Sequence, residues 1–275
     1  MSQIAIVTGA ASGIGACLVQ RLLARGYKVC ACDINEVSLQ RLNVPTHQQQ
    51  AFMSMTLDVR DASAWQQLVD AVMARWQRID VLANVAGVLR EGWVINSTEA
   101  DIDFHFDINV KGVILGMQAV LPNMQAAGHG HIVNIASLAS LSPVPGIALY
   151  SASKFAVRGY SLAAGMELAE KGIAVTTICP DAVQTPMLDI QKGKAETALT
   201  FSGPRALTAD EVVDAIVDDA LVNKPLEIML PTWRGATAKA ANLVPNLSAR
   251  AMSFFRKAGL KRQAALSAGK DPTQR

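Results

Sequence analysis

The 275-residue chain has no apolar run approaching the ~18 residues that a membrane-spanning helix needs, and no basic segment ahead of its first β-rich run, "IAIVTGAASGIG". Both absences lead to the expectation of a cytoplasmic protein. Cysteine is scarce. Cys17, Cys30, Cys32 and Cys179 follow no spacing pattern, which argues against a disulfide framework and for buried thiols. Cys30 and Cys32 share one strand face by alternation, but no nearby histidine or further cysteine completes a metal site. Internal repeats and low-complexity tracts are also missing. Acidic residues almost vanish toward the C-terminus: Pro231 to Arg275 holds nine basic residues and one acidic, a local +8 within a total of +2, so the first 230 residues carry −6. What the chain does have is apolar material, 51% of its residues, enough for one large core. The expected organisation is a single domain over residues 1–230 followed by a basic tail, 231–275.

Apolar, β-rich runs alternate with amphipathic ones. "IAIVT", "KVCACD", "SMTLDV", "IDVLANVAG", "HIVNIAS", "IAVTTICP" and "LEIMLP" have the character of strands. The intervening "GIGACLVQRLLARG", "DASAWQQLVDAVMARW", "EADIDFHFDINVKGVILGMQAVLPNMQAAG", "YSASKFAVRGYSLAAGMELAEKG" and "TADEVVDAIVDDAL" have helical spacing. Nearly continuous apolar strands linked by helices imply a parallel sheet covered on both faces, hence a doubly wound α/β domain. The longest aperiodic stretch, Asp181 to Leu207, is the expected functional loop.

"VTGAASGIG" ends the first strand and opens the first helix. Gly9, Gly13 and Gly15 allow a tight turn and close backbone approach, and the helix start presents unpaired N–H groups suited to a pyrophosphate. The strand-to-helix setting makes this a dinucleotide site rather than an ordinary turn. Asp33 closes the second strand, at the distance where a carboxylate meets the adenosine ribose hydroxyls. A carboxylate there repels a 2′-phosphate, no Arg or Lys follows closely, and Ser12 in the glycine loop is uncharged, so NAD is expected over NADP.

Tyr150 and Lys154 in "YSASKFAVRGY" stand one helical turn apart and can face one cleft. At ~5 Å and an effective dielectric near 20, an ammonium favours the phenolate by about 3 kcal/mol, roughly two pK units. That pairing suits a proton-transfer role.

With "TGAASGIG" (Thr8 to Gly15), "NVAG" (Asn84 to Gly87), Asn109 in "INVKG", Ser137 in "NIAS" and "YSASK" (Tyr150 to Lys154) in this order, the chain resembles the short-chain dehydrogenase/reductase family over roughly residues 1–230. The resemblance implies a Rossmann-type fold, a nicotinamide cofactor and a catalytic set of Asn109, Ser137, Tyr150 and Lys154. Tyr150 would act as general acid or base, Lys154 would also reach the nicotinamide ribose, Ser137 would hold the substrate oxygen and Asn109 would anchor a water. It further implies that Gly9, Ser12, Gly13, Ile14, Gly15, Asp33 and Ile34 hold the dinucleotide, that Asp58 and Val59 flank the adenine, and that Asn84, Ala86 and Gly87 line the adenosine side. Pro180, Val183 and Thr185 would meet the nicotinamide end. Two positions depart from the family: Pro180-Asp181 replaces its usual Pro-Gly, and "NVAG" its commoner "NNAG". Asp181 is expected in a solvent-facing turn.

The loops after strands four, five and six supply Val88, Leu89, Trp93, Leu138, Leu141, Val144, Ile147, Met187, Leu188, Leu199 and Phe201, which suits a hydrophobic secondary alcohol or ketone. Asp101, Asp103, His105 and Asp107 mimic a metal cluster but lie on one amphipathic helix with no other ligand source. His129 and His131 are expected in solvent. In the tail, "PNLSARAMSFFRKAG" predicts a helix between Pro245 and Gly259 with Leu247, Ala251, Phe254 and Phe255 on one side. It could pack on the body, on another protomer or over the site, or lie peripherally on anionic lipid; nucleic acid is not expected. The reading is an NAD-dependent alcohol dehydrogenase or ketone reductase, a homodimer or homotetramer by resemblance. The alternative is a dinucleotide-binding scaffold or redox sensor acting through its tail.

Overall fold

The computed structural model describes residues 2–267. In chain order the elements are β1 (Ile4–Thr8), α1 (Gly13–Ala24), β2 (Lys28–Asp33), α2 (Glu36–Gln40), β3 (Phe52–Thr56), α3 (Ala62–Trp76), β4 (Val81–Asn84), α4 (Glu99–Phe106), α5 (Gly112–Ala127), β5 (Gly130–Ile135), α6 (Ala148–Leu168), β6 (Ile173–Pro180), α7 (Pro186–Asp189), α8 (Ala209–Asp214), α9 (Leu221–Asn223), β7 (Glu227–Leu230), α10 (Thr232–Leu243) and α11 (Pro245–Ser267). The strands pair in parallel in the order β3-β2-β1-β4-β5-β6-β7. The order reverses between β1 and β4, so a crevice opens at the C-terminal ends of those two strands.

Alternation along the strands divides the core. Ile4, Ile6, Leu82, Ile132 and Val175 face the layer of α3, α5 and α6, where Trp65, Leu68, Met117 and Val157 meet them. Ala5, Val7, Val29, Val133 and Ile178 face the opposite layer of α1 and α8, against Leu18, Leu22, Val212 and Ile216. Each such side chain, fully buried, contributes about 1.5–3 kcal/mol of transfer free energy. Arg21 pairs with Asp210 and Asp214, and Arg25 with Asp218, on the solvent side of the α1 and α8 layer. As exposed pairs they add little.

Polar groups also cross the sheet. Asn84 Nδ2 donates to Asn134 Oδ1 (2.8 Å), and Asn134 Nδ2 donates to Ser161 Oγ (2.8 Å), linking β4, β5 and α6 behind the crevice. Thr8 Oγ1 accepts from the N–H groups of Val85 (3.0 Å) and Ala86 (3.1 Å), fixing the end of β1 to the chain leaving β4.

Several local expectations move. The third strand ends at Thr56 rather than Val59, because Asp58 Oδ1 accepts from the Arg60 N–H (3.0 Å) and turns the chain. The long helix 99–128 is divided by a π-turn over Asp107–Lys111, and a second π-turn spans Ala215–Ala220. His131 is buried on β5, not solvated; its Nε2 lies 2.9 Å from Thr176 Oγ1, and burial pushes its pKa down to about 4. His129 is half-exposed near Asp80. Cys30, Cys32 and Cys179 are buried free thiols, whereas Cys17 is half-buried beside Asp210.

The tail departs most. Its last helix runs through Gly259 to Ser267, and Gly259 is a contact rather than a terminus: a Cβ there would stand 1.8 Å from the Ala198 carbonyl oxygen. The stripe turned inward is Met252, Gly259 and Gln263, while Leu247 and Phe254 face outward. α10 packs on β7 through Gly235, and Lys239 pairs with Glu227. No helix of the described residues is long and apolar enough to cross a membrane.

Replacing Asn134 by Ala leaves the Asn84 amide and the Ser161 hydroxyl without their partner in a dry interior. The expected cost is about 2–3 kcal/mol, read as a lower urea midpoint with an unchanged m-value.

Candidate active site

A cavity of about 860 Å3 opens at the strand C-termini and extends from the β1–α1 turn to the tail. Its cradle end is made by the glycines. Gly9 has φ +64° and Gly13 φ +53°; a Cβ on Gly9 would lie 2.8 Å from the Ala86 backbone, and one on Gly15 2.1 Å from the Gly9 carbonyl oxygen. Ser12, the α1 N-cap, makes no side-chain capping bond, and the first turn carries no acidic residue. The helix start therefore keeps free N–H groups for an anion. Asp33 stands beside it, its Oδ2 accepting from the Ala11 N–H (3.0 Å) and its Oδ1 from the Asn35 N–H (2.9 Å). A glycine cradle, a fixed carboxylate at the end of β2 and an elongated cavity fit a dinucleotide.

Ile14, Ile34, Asp58, Val59, Ala86, Gly87, Pro180, Val183 and Thr185 also line this cavity. Asp58 accepts three side-chain hydrogen bonds from Arg60, whose guanidinium holds the carboxyl below its usual range. Two expected residues stand behind the walls. Asn84 is spent on Asn134. Asn109 is fully buried in the π-turn, its Oδ1 accepting from the Val88 N–H (2.8 Å) and its Nδ2 donating to the Val88 carbonyl (3.0 Å) and to Ser153 Oγ (3.0 Å). With these bonds its side chain props the β4 exit against α6. Gly87 marks the junction: a Cβ there would meet Asn109 Oδ1 at 3.3 Å and Lys154 Nζ at 3.4 Å.

Ser137, Tyr150 and Lys154 meet at the other end. Ser137 follows β5, and its hydroxyl caps the next turn by accepting from the Ala139 N–H (3.1 Å). It also stands near enough to the Tyr150 phenol to lower its pKa. Lys154 Nζ lies 5.7 Å from the Tyr150 ring centroid and donates to the Ile135 carbonyl at 2.8 Å. Burial dominates both groups. It pushes the phenol up to about 12, against a lowering by Ser137, and pulls the ammonium down to about 8. From sequence the lysine is the main influence expected on the phenol; in the fold desolvation outweighs it. At neutral pH the pair is thus a neutral phenol beside a charged ammonium.

Asp181 is not in solvent. Its carboxylate is 12% exposed and lies 2.5 Å from Arg234 Nε on α10. Burial raises its pKa and Arg234 opposes the rise. Its backbone is not left-handed, and its N–H donates to the Leu230 carbonyl (2.7 Å). Gly203 closes over the pair, within 3.1 Å of Asp181 Oδ2 and 3.2 Å of Arg234 Cζ for an added Cβ.

Val88, Leu89, Leu138, Val144, Ile147, Met187, Leu188 and Leu199 line the cavity beyond Tyr150; Trp93, Leu141 and Phe201 do not. Arg234, Thr237, Ala238, Ala241, Met252 and Phe255 of the tail do, and sequence reading missed them. The available signal was Asp181 itself, an acidic departure with no local cation, in a chain whose unbalanced cations lie in the tail. The metal-like set is engaged otherwise: Asp101 pairs with Arg90, and His105 accepts the Arg90 N–H (3.0 Å).

Comparison with known proteins follows the same lines. Residues 3–195 match the short chain dehydrogenase family. Over 227 residues the chain is 36% identical to the 2-(R)-hydroxypropyl-CoM dehydrogenase of Xanthobacter autotrophicus, covering 79% of this chain and 90% of that protein. It is 35% identical over 231 residues to the 3-alpha-(or 20-beta)-hydroxysteroid dehydrogenase of Mycobacterium tuberculosis, covering 84% and 88%. The solved structure of ElxO with NADP bound has a TM-score of 0.74 at 26% identity, over 83% of this chain and 98% of that one.

The native chain releases the Lys154 proton near pH 8, whereas an unfolded lysine keeps it to about 10.5. Between those values the unfolded state binds more protons, so this group makes the native state relatively more stable as pH rises. Lys154→Met removes the contribution. The difference in Tm, variant minus wild type, is therefore expected to be largest near pH 7 and to fall through pH 8–10; a difference flat with pH contradicts the buried-ammonium reading.

Proposed function

The chain belongs to the short-chain dehydrogenase family, an oxidoreductase on alcohol or ketone groups with a nicotinamide cofactor, and we propose that it uses NAD to oxidise a hydrophobic secondary alcohol through Tyr150. The observation that carries this reading is the buried Ser137, Tyr150 and Lys154 group at one end of a cavity whose other end is a glycine cradle.

A nicotinamide held in this cavity would supply the acceptor for the hydride leaving the carbinol carbon. Ser137 holds the substrate oxygen, for which its hydroxyl is well placed beside the phenol. Tyr150 Oη takes the hydroxyl proton in oxidation and returns it in reduction. Lys154 keeps a positive charge beside that oxygen, favouring the phenolate, and its remaining N–H groups can hold ribose hydroxyls. Apolar walls and the tail keep water from the reacting carbon, which strengthens these electrostatic contacts. Asn109 maintains the geometry from behind, holding Val88 on one side and Ser153 on the other. In reduction the neutral phenol is already the correct acid at physiological pH; in oxidation it must ionise with cationic help.

Support for NAD comes from Asp33, a carboxylate fixed by two backbone N–H groups where a 2′-phosphate would have to fit. Two cations lining the cavity, Arg60 and Arg234, are already paired with Asp58 and Asp181. Lys154, the third, belongs to the catalytic end. Support for a hydrophobic substrate comes from Leu89, Leu138, Val144, Ile147, Met187 and Leu199.

A panel of aliphatic, aromatic, steroid and terpenoid secondary alcohols, followed by NADH absorbance, should identify substrates. With any substrate found, Tyr150→Phe is expected to keep the fold and NADH binding and to lose about 10²–10⁴-fold in kcat. Turnover near the wild-type level would remove Tyr150 from the mechanism. NADH should bind at least about tenfold more tightly than NADPH, and Asp33→Ser should narrow the gap. Equal or tighter NADPH binding by the wild type contradicts the cofactor assignment.

A further inference from the structure

Beyond the apolar end of the catalytic cavity lies a second cavity of about 260 Å3. Leu199 and Met252 line both spaces and form the wall between them. The far side is built from Trp93, Pro145, Glu196, Ala198, Ser253 and Arg256. The Arg256 guanidinium sits 5.0 Å from the Trp93 ring centroid and closes the outer edge.

The chain holds this second space open by costly means. α11 is pressed onto the segment Ala195–Phe201 so closely that only glycine fits at 259. One turn on, Gln263 is 5% exposed in a helix whose neighbours are mostly in solvent. Its Nε2 donates to Thr197 Oγ1 (3.1 Å) and to the Lys194 carbonyl (3.2 Å). A buried amide must find such partners to be tolerated. Near its inner end the tail is anchored by Arg234 on Asp181. Between these anchors Met252 is partly buried and lies on the wall between the two spaces. An unbranched thioether changes rotamer at small cost, so the wall it forms can open toward the second cavity. A space of about 150 Å3 houses benzene, so the second cavity is large enough for a ring or a short alkyl segment.

We propose that this second cavity is a distal substrate subsite, joined to the catalytic cavity when Met252 turns aside, and that it takes the far end of an elongated, predominantly apolar alcohol or ketone whose carbinol carbon lies at Tyr150. The proposal rests on the oxidoreductase reading above and adds the length of the substrate and the segment that measures it. The tail is then part of the substrate site.

Ser253 is exposed on α11 and borders the second cavity but not the first, so Ser253→Trp fills the subsite from its rim. Trp93→Ala removes the opposite wall. The measurement is kcat/KM for NAD-dependent oxidation of secondary 2-alkanols from about four to about twelve carbons, expressed as the long-to-short ratio; tenfold corresponds to about two buried methylenes. The ratio is expected to fall at least about tenfold in Ser253→Trp and in Trp93→Ala, with NADH binding reporting that each variant is folded. A ratio unchanged in both variants, while short alcohols are still oxidised, overturns the subsite and leaves the oxidoreductase reading standing. If no alcohol is oxidised by the wild type, that reading fails, and equilibrium binding of the longest 2-alkanol decides the subsite: weaker binding to Ser253→Trp supports it and equal binding overturns it. Should Ser253→Trp not fold, Trp93→Ala alone carries the comparison.

Discussion

The constraint on which the rest depends is the burial of an ammonium beside a phenol. Among the described residues Lys154 Nζ has one acceptor, the Ile135 carbonyl, and it lies 5.7 Å from the ring of Tyr150. A buried cation without a carboxylate is expensive, and its lowered pKa measures that expense. The surroundings are arranged to keep it there. β5 ends so that its last carbonyl points at Nζ, α6 sets the two side chains one turn apart, and Gly87 leaves room where a Cβ would press on Nζ. Asn109 and Ser153 hold the wall behind. Stability is spent at this point to keep a charge beside the phenol that we propose transfers the proton, and the sheet's large core offsets it.

The same economy explains the second acidic feature. Asp181 is buried where a glycine is the resemblance's usual residue, and the charge is tolerated because Arg234 arrives from α10. A tail that supplies such a partner is bound to the body by more than surface contacts. Lys239 on Glu227 and Gln263 on the segment Ala195–Phe201 extend the attachment. The two helices after β7 thus close the cavity from a side that the sheet and its crossovers leave open.

What could be read from the sequence was whatever depends on near neighbours. Strand and helix periods, the glycine turn, the carboxylate ending β2 and the spacing of Tyr150 and Lys154 are set within a few residues, and the cavity brings them together. What could not be read depends on distant partners. His131 resembles a loop histidine until β5 proves to be central and covered on both faces. Asn84 and Asn109 were assigned to the ligand side by resemblance, yet their amides bond to Asn134, Val88 and Ser153, groups up to 50 residues away. The tail's inward stripe is hard to read because hydrophobicity alone marks Leu247 and Phe254, whereas close packing takes a glycine and a glutamine. The direction of the Tyr150 shift was missed for a related reason: pair distance can be estimated from sequence, but the extent of desolvation cannot.

On the proposed mechanism Tyr150 stays protonated by burial until positive charge in the cavity lets it ionise. Ultraviolet difference titration of the phenolate, wild type against Tyr150→Phe, reads this directly because the chain has only three tyrosines. The account predicts that Tyr150 in the free enzyme ionises only near pH 12, and that saturating NAD moves its ionisation well down toward neutrality. An ionisation already near neutrality without NAD, or one that NAD leaves in place, would contradict it.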